Sequence, residues 1–394
     1  MSAMLLWPIC LGVALPVAVL ALECLVGSWR GAEREEAGVA PPFAVLMPAN
    51  DEAAGIARSI TDVMAQLRPC DRLLVVADNC SDATAAIARG LGAWVIERHD
   101  PAHRGKAHAL EHGRIIMGND PLWHDRALAV AIIVDADCSP QPGALQRLAA
   151  TCAGAQAVVQ GAYLLVPPPA ATPIVRMSCF AFMVKNLVRQ IALRRLAGTV
   201  LLQGSGMAFP MRVFRRLDWT SASLVEDLDM GMQLVFEGVP VTFDEHALFS
   251  SAASSQGATA GQRRRWEHGM MQSMRLFAPR LLKAALTGRP RLAFLALDQI
   301  VPPTVLLLLI AGLATGLGLL AAGLTGMGAP VLILLLCNLA LAIGLTLAWA
   351  RHGRTILPWR AVIGSIRYLA WKLPIFAQFF TQRQSQWVRT DRTP

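Results

Sequence analysis

The order of apolar and polar positions divides the chain into contrasting segments. Residues 5–26 are almost continuously apolar, with Glu23 near their end. A membrane-crossing helix needs about 20 such residues, so this run predicts a first span. Residues 301–324 and 331–350 repeat the pattern around a turn-like link, Thr325-Gly326-Met327-Gly328-Ala329-Pro330. They predict a helical hairpin. Between these ends the pattern shortens. Apolar runs at 44–48, 73–77, 94–97, 128–134, 157–166, 207–210 and 241–244 read as strands. Helix-length stretches at 55–66, 83–90 and 106–117 separate the early ones. Such alternation implies an α/β domain with a mostly parallel sheet covered on both faces. Its ligands belong beyond the carboxyl ends of the strands.

Segments 173–197, 274–286 and 359–380 mix basic and apolar residues. In the first, Arg176, Lys185, Arg189, Arg194 and Arg195 punctuate Ile174, Phe180, Phe182, Leu187 and Ile191. These segments read as helices lying in the membrane interface. Tyr368, Trp371 and Trp387 suit the headgroup level.

Composition supports a membrane protein. The 394 residues are 54% hydrophobic and 16% charged, with a mean hydropathy of +0.45. That is too apolar for an ordinary soluble chain. Arg30 and Arg34 follow the first span, and Arg351, His352 and Arg354 close the hairpin. The positive-inside rule then puts both long polar segments on the cytoplasmic side. The predicted organisation is an anchor at 1–28, a catalytic domain at 40–275, an interface helix at 276–300, a hairpin at 301–350 and a basic tail at 351–394. The implied location is the cytoplasmic (inner) membrane, with the catalytic domain in the cytosol. A signal peptide fits less well, because the start Met-Ser-Ala-Met carries no basic residue. From Arg351 onward eight Lys and Arg stand against Asp391 alone. This basic flank points to membrane lipids. Nucleic acid is disfavoured, since no basic groove interleaved with aromatics accompanies it. The eight cysteines are scattered, without metal-ligand or redox spacing, which fits a reducing compartment.

Several polar clusters sit at strand ends. Asp135-Ala136-Asp137 follows the run 128–134. In an extended chain its two carboxylates share one side, as a hard divalent cation bridging phosphates requires; a closing turn is the plainer reading. Asp78-Asn79-Cys80-Ser81-Asp82 and Asn50-Asp51-Glu52 close two earlier strands, and helix N-capping also explains the former. Lys106 opens a helix, where it suits a phosphate. Glu226-Asp227 opens another helix, where acids favour the dipole; a functional carboxylate there would deprotonate an acceptor hydroxyl. Gln262, Arg265 and Trp266 follow i, i+3, i+4 spacing and share one helix face. Arg can fork onto phosphate, Gln can hydrogen-bond it, and Trp offers a platform for a sugar. His108-Ala-Leu-Glu111-His112 matches a short zinc-protease pattern but lacks a clear third ligand.

In order, Val75-Val-Ala-Asp-Asn, Arg104-Gly-Lys-Ala, Asp135-Ala-Asp, Val225-Glu-Asp and Gln262-x-x-Arg-Trp resemble the family 2 glycosyltransferases. The nearest likeness is to the cellulose, chitin and hyaluronan synthase group and to bacterial exopolysaccharide glycosyltransferases. The resemblance covers residues 42 to 270. It implies a GT-A fold, an inverting mechanism and a nucleotide-diphosphate sugar donor, with a UDP-sugar favoured. Asn50, Glu52 and Asp78 would line the nucleotide pocket, and Lys106 would touch the diphosphate. Asp135 and Asp137 would hold the donor and a Mg²⁺ or Mn²⁺, with Asp137 the preferred ligand. Asp227, beside Glu226, would be the general base. Gln262 and Arg265 would hold the pyrophosphate, Trp266 would floor the acceptor site, and Gly204-Ser205-Gly206 would form an acceptor loop. The implied partners are the donor, a glycan or lipid acceptor, membrane lipids and other polysaccharide-export proteins. Val225 departs from the Thr usual in the synthases.

Overall fold

The computed structural model describes residues 3–29, 38–119, 129–219, 226–253 and 256–362, with the side chains of 3–5 and 256–268 outside that description. The described chain forms two compact units. One holds 38–166 and 199–253; the other holds 3–29, 167–198 and 256–362.

The first unit is built on one sheet. Its strands are β1 (Phe43–Ala49), β2 (Arg72–Asp78), β3 (Trp94–Arg98), β4 (Val130–Ile133), β5 (Cys138–Pro140), β6 (Val158–Val166), β7 (Met207–Pro210) and β8 (Val241–Ala252). Their order is β3-β2-β1-β4-β7-β6-β8-β5. The β3-β2-β1-β4 half is parallel throughout. β7 runs antiparallel to both β4 and β6, while β8 is parallel to β6. Every residue of β1 is buried, as a parallel strand covered on both faces requires. The helix Ile56–Met64 turns Ile56, Ser59, Ile60 and Val63 inward, the apolar stripe of a helix seated on a sheet. The helix Lys106–Asn119 approaches so closely that Gly113 lies directly against Leu46 and Val76.

Two features depart from the sequence pattern. β5 follows the Asp-Ala-Asp turn and pairs with the end of β8. β8 itself runs on to Ala252, well past the expected end at 244. Asp244, Glu245 and His246 break the apolar run, but the chain bulges there. The pairing passes from Gly161↔Asp244 to Ala162↔Leu248, so Glu245, His246 and Ala247 leave the ladder without ending the strand.

The second unit is helical. Leu6–Ser28, Thr304–Thr325 and Ala329–Gly353 are long and apolar enough to cross a membrane. The first packs closely on the third. A Cβ at Gly344 would lie 2.8 Å from Cys24 Cβ and 3.2 Å from the Ala21 carbonyl, the close backbone approach that small residues permit. Gly326 takes φ +70° to end the second span, and Pro330 opens the next. Asn338 Nδ2 donates to Thr315 Oγ1 at 2.9 Å within this hairpin.

The segment expected to lie in the membrane interface is Pro173–Met183, a π turn Val184–Val188 and Arg189–Leu196. It is more deeply buried than a surface-lying helix: Cys179, Met183, Val188, Ala192 and Leu193 are enclosed. Gly27 of the first span sits directly against the Val188 carbonyl. Arg189, read as one of the basic punctuation residues, is enclosed too, because carboxylates meet it. Its Nε lies 2.9 Å from Glu23 Oε2 and its Nη2 lies 2.6 Å from Asp298 Oδ1. Of the segment 359–380, only Trp359–Val362 is described; Tyr368, Trp371 and Trp387 lie outside the described residues.

Candidate active site

The residues singled out at strand ends meet in the sheet unit. Lys106, at the start of its helix, lies with Nζ 2.5 Å from Asp135 Oδ1. The same ammonium donates to the Gly204 carbonyl at 2.7 Å. Gly204 adopts φ +88°, and a Cβ there would stand 3.2 Å from Asp227 Oδ2 and 3.3 Å from Lys106 Nζ. Four predicted site residues from four separate segments therefore converge within a few ångströms. Lys106 and Asp135 are half-buried, at 21% and 23% side-chain exposure. This is dry enough to strengthen charge interactions and open enough to admit a ligand.

The local chain geometry explains the convergence. Asp135 follows β4, and the Cys138 N–H donates to the Asp135 carbonyl at 2.9 Å. Asp-Ala-Asp is thus a tight turn, not the extended stretch assumed from the strand pattern. Ala136 is buried while Asp135 and Asp137 are half-buried, so both carboxylates remain on the wetter side. Ser205, completely buried, accepts the Asp135 N–H on its Oγ at 3.1 Å. Gly206 takes φ +66°, and a Cβ there would lie 2.6 Å from the Phe249 ring.

Glu226 and Asp227 form the first turn of the helix Glu226–Glu237. Burial and the Asp227 charge push the Glu226 carboxyl up to about 7, with Lys106 pulling the other way. Glu226 then keeps a proton part of the time while Asp227 remains the candidate base.

At the expected nucleotide pocket, Asn50 Nδ2 donates to the Asp78 carbonyl at 2.7 Å and ties the ends of β1 and β2. Asp78 is buried beneath Arg98, whose Nη1 lies 2.6 Å from its Oδ1. Sequence reasoning missed Arg98. Its signal was a lone cation at the end of a strand beside one ending in Asp. Glu52 is half-buried, and its N–H donates to Thr84 Oγ1 at 2.8 Å. Gln262, Arg265 and Trp266 fall within the helix Gln256–Leu286; their side chains lie outside the described residues.

Metal fit differs between two acidic groups. Asp51, Cys80 and Asp82 bring ligand atoms within 4.8 Å of one another. Their carboxylates, however, accept backbone N–H groups: Asp51 from Ser81 at 2.6 Å, and Asp82 from Ala53 at 3.0 Å and Thr84 at 2.9 Å. These are turn and cap bonds. At Asp135, by contrast, the carboxylate meets an ammonium, which stands where a hard cation would be welcome. Oxygen ligands in a half-buried turn suit Mg²⁺ or Mn²⁺. The zinc-protease pattern dissolves, because Glu111 pairs with Arg114 and accepts the Trp219 N–H at 3.3 Å.

Residues 41–269 match the family described as glycosyltransferase like family 2. The chain belongs to that family. The glycosyltransferase resembles a mannosyltransferase from Pyrobaculum calidifontis, solved with GDP-mannose and Mn²⁺, at 18% identity over 97% of this chain and 99% of that one, with a TM-score of 0.55. That likeness supports a GT-A fold. Glucosyl-3-phosphoglycerate synthase from Mycobacterium tuberculosis aligns at 16% identity over 61% of this chain and 82% of its own, TM-score 0.39. TarS from S. aureus aligns at 14% over 61% and 40%, TM-score 0.38. No curated protein matches the sequence.

Proposed function

We propose that this glycosyltransferase inverts the anomeric centre of a nucleoside-diphosphate sugar and delivers the sugar to a glycan or lipid-linked acceptor at the cytoplasmic membrane face. The observation that carries this reading is the meeting of Asp135, Lys106, Gly204 and Asp227 in one half-buried site. Asp227 takes the acceptor proton as the hydroxyl attacks the anomeric carbon from the face opposite the diphosphate. Lys106 already stands beside Asp135, and its charge suits the negative charge that builds on the leaving diphosphate. Asp137 and Asp135 would hold Mg²⁺ or Mn²⁺, which supplies Lewis-acid stabilisation of that leaving group when bound. Gln262 and Arg265 complete the pyrophosphate contacts and Trp266 the acceptor floor in this reading. Asn50, Glu52 and Asp78 line the nucleotide side, and Gly204-Ser205-Gly206 the acceptor side.

The three apolar helices support delivery to a membrane-associated acceptor, with the catalytic part at 40–275 and the basic tail on the cytosolic side. The proposed role is in exopolysaccharide or cell-envelope glycan synthesis; single-sugar transfer to a lipid is the second reading. A UDP-sugar is the favoured donor, and the GDP-mannose held by the archaeal mannosyltransferase adds GDP-sugars to the test. Purified full-length protein in detergent is assayed with each nucleotide sugar, Mn²⁺ and membrane lipid extract, reading nucleoside diphosphate release and product length. Release dependent on acceptor is expected, with one sugar added for a lipid transferase and a ladder for a polymerase. No release or transfer with any donor would leave a non-catalytic membrane scaffold.

A further inference from the structure

Gln160 is completely buried on β6, yet it touches nothing that reacts. Both ends of its amide reach the turn that carries Gly204, Ser205 and Gly206. Its Nε2 donates to the Ser205 carbonyl at 2.8 Å and to the Gly161 carbonyl at 2.8 Å, with Gly206 O at 3.4 Å. Its Oε1 accepts the Gln203 N–H at 2.8 Å. The amide orientation follows from these partners: carbonyls face the nitrogen and an N–H faces the oxygen. The backbone completes the brace, with the Gly161 N–H on Gly206 O at 2.8 Å and the Gly206 N–H on Ile133 O at 2.9 Å. The braced turn in turn grips the site. Ser205 Oγ receives the Asp135 N–H at 3.1 Å, and Gly204 O receives Lys106 Nζ at 2.7 Å.

We propose that Gln160 is a positioning residue for glycosyl transfer, which sets Asp135 and Lys106 through the Gln203–Gly206 turn. A buried amide with both ends matched is costly to replace, because the Ser205 carbonyl and the Gln203 N–H each lose a partner. The turn also contains two positive-φ glycines, Gly204 and Gly206, and has little side-chain packing of its own to hold its shape. An apolar residue of equal volume at 160 would fill the space without fixing the turn. This inference rests on the reading of Asp135 and Lys106 as donor-site groups.

The test uses full-length protein in detergent, with Mn²⁺ and whichever of UDP and GDP wild type binds, all below the unfolding temperature of every variant. Gln160→Met keeps the volume and removes the bonds. Leu148→Ala empties part of a buried position on the helix Ala144–Ala155 and serves as a destabilised control. Gln160→Met should weaken nucleotide–Mn²⁺ binding by about tenfold or more and lower kcat, while Leu148→Ala leaves both near wild type. Should Gln160→Met not fold, Ser205→Ala removes the acceptor of the Asp135 N–H and is expected to act in the same direction. Wild-type binding and turnover in Gln160→Met, or an equal loss in Leu148→Ala, would overturn the proposal. Asp135→Asn separates the two readings. If it binds the nucleotide as wild type does, the donor-site assignment fails; if it loses binding while Gln160→Met keeps it, only the role of Gln160 fails.

Discussion

In the helical unit, Arg189 lies between Glu23 and Asp298, and all three side chains are at most 4% exposed. In the sheet unit, Lys106 pairs with Asp135, and the Asp227 carboxylate lies with Lys106 Nζ beside Gly204; Lys106 and Asp135 are 21% and 23% exposed. Both clusters combine one cation with more than one carboxylate. In the first, protein groups close around each charge, and Gln299 Nε2 also donates to Asp298 Oδ2 at 2.8 Å. Desolvation there is offset only by internal partners. In the second, water still reaches the pair, so the ammonium can give way to substrate phosphate or a metal. Closure marks a structural ion cluster, and a half-open cluster at a strand end is the candidate functional one.

The comparison breaks most sharply at Asp227. Asp227→Asn should lower transfer by about 10²- to 10⁴-fold, leaving nucleotide binding and the unfolding temperature near wild type. Near-normal turnover would remove Asp227 as the base. Arg189→Met should do the reverse. It leaves two enclosed carboxylates without a cation, which costs about 3–5 kcal/mol and lowers the unfolding temperature in detergent. Adding Glu23→Gln and Asp298→Asn should restore most of that loss, because the uncompensated charge disappears. A mild effect of Arg189→Met alone would mean that the helical cluster is not closed.

Asp137→Ala sharpens the open side of the comparison. It should raise the Mn²⁺ concentration for half-maximal nucleotide binding by at least about tenfold, with little change in unfolding without metal. Titration of Mn²⁺ at fixed nucleotide reads this directly. An unchanged midpoint would move the metal away from the Asp-Ala-Asp turn.

Much of this contrast was legible in the residue pattern, and its limits are physical. Continuous apolar runs gave the three span-length helices, because length and hydropathy suffice for them. Short runs ending in Asp78 and Asp135 gave the parallel half of the sheet and the candidate site residues it presents. The bulge in β8 was hidden because Asp244, Glu245 and His246 break the alternation that marks a strand. Arg189 read as one basic residue of an interface-lying helix because local spacing is silent about Glu23 and Asp298, far away in sequence. Gln160 drew no notice in the run 157–166, since its partners at 203–206 come from a distant turn. Pairings across long sequence separations carry no periodic signal.

The smallest expected effect concerns Glu226 and tests how dry the open cluster is. Its carboxyl sits at about 7 in the folded chain against an ordinary 4.5, chiefly from burial and then from the Asp227 charge. Below pH 4.5 both folded and unfolded chains hold the proton. Between 4.5 and 7 the folded chain keeps a proton that the unfolded chain releases, so stability falls as pH rises through this window. Above 7 the penalty is complete. Glu226→Gln cannot release that proton. Measured with chelator, it should match wild type near pH 4 and exceed it near pH 8 by on the order of 1–3 kcal/mol, with the lower end favoured because water reaches the half-buried site. Equal stability of the two proteins at pH 8 would mean that Glu226 is solvated like a surface acid. The opening of the sheet-side cluster would then extend past Lys106 and Asp135 to the helix Glu226–Glu237 itself, and the proposed base Asp227 would stand in a wetter site than its neighbours imply.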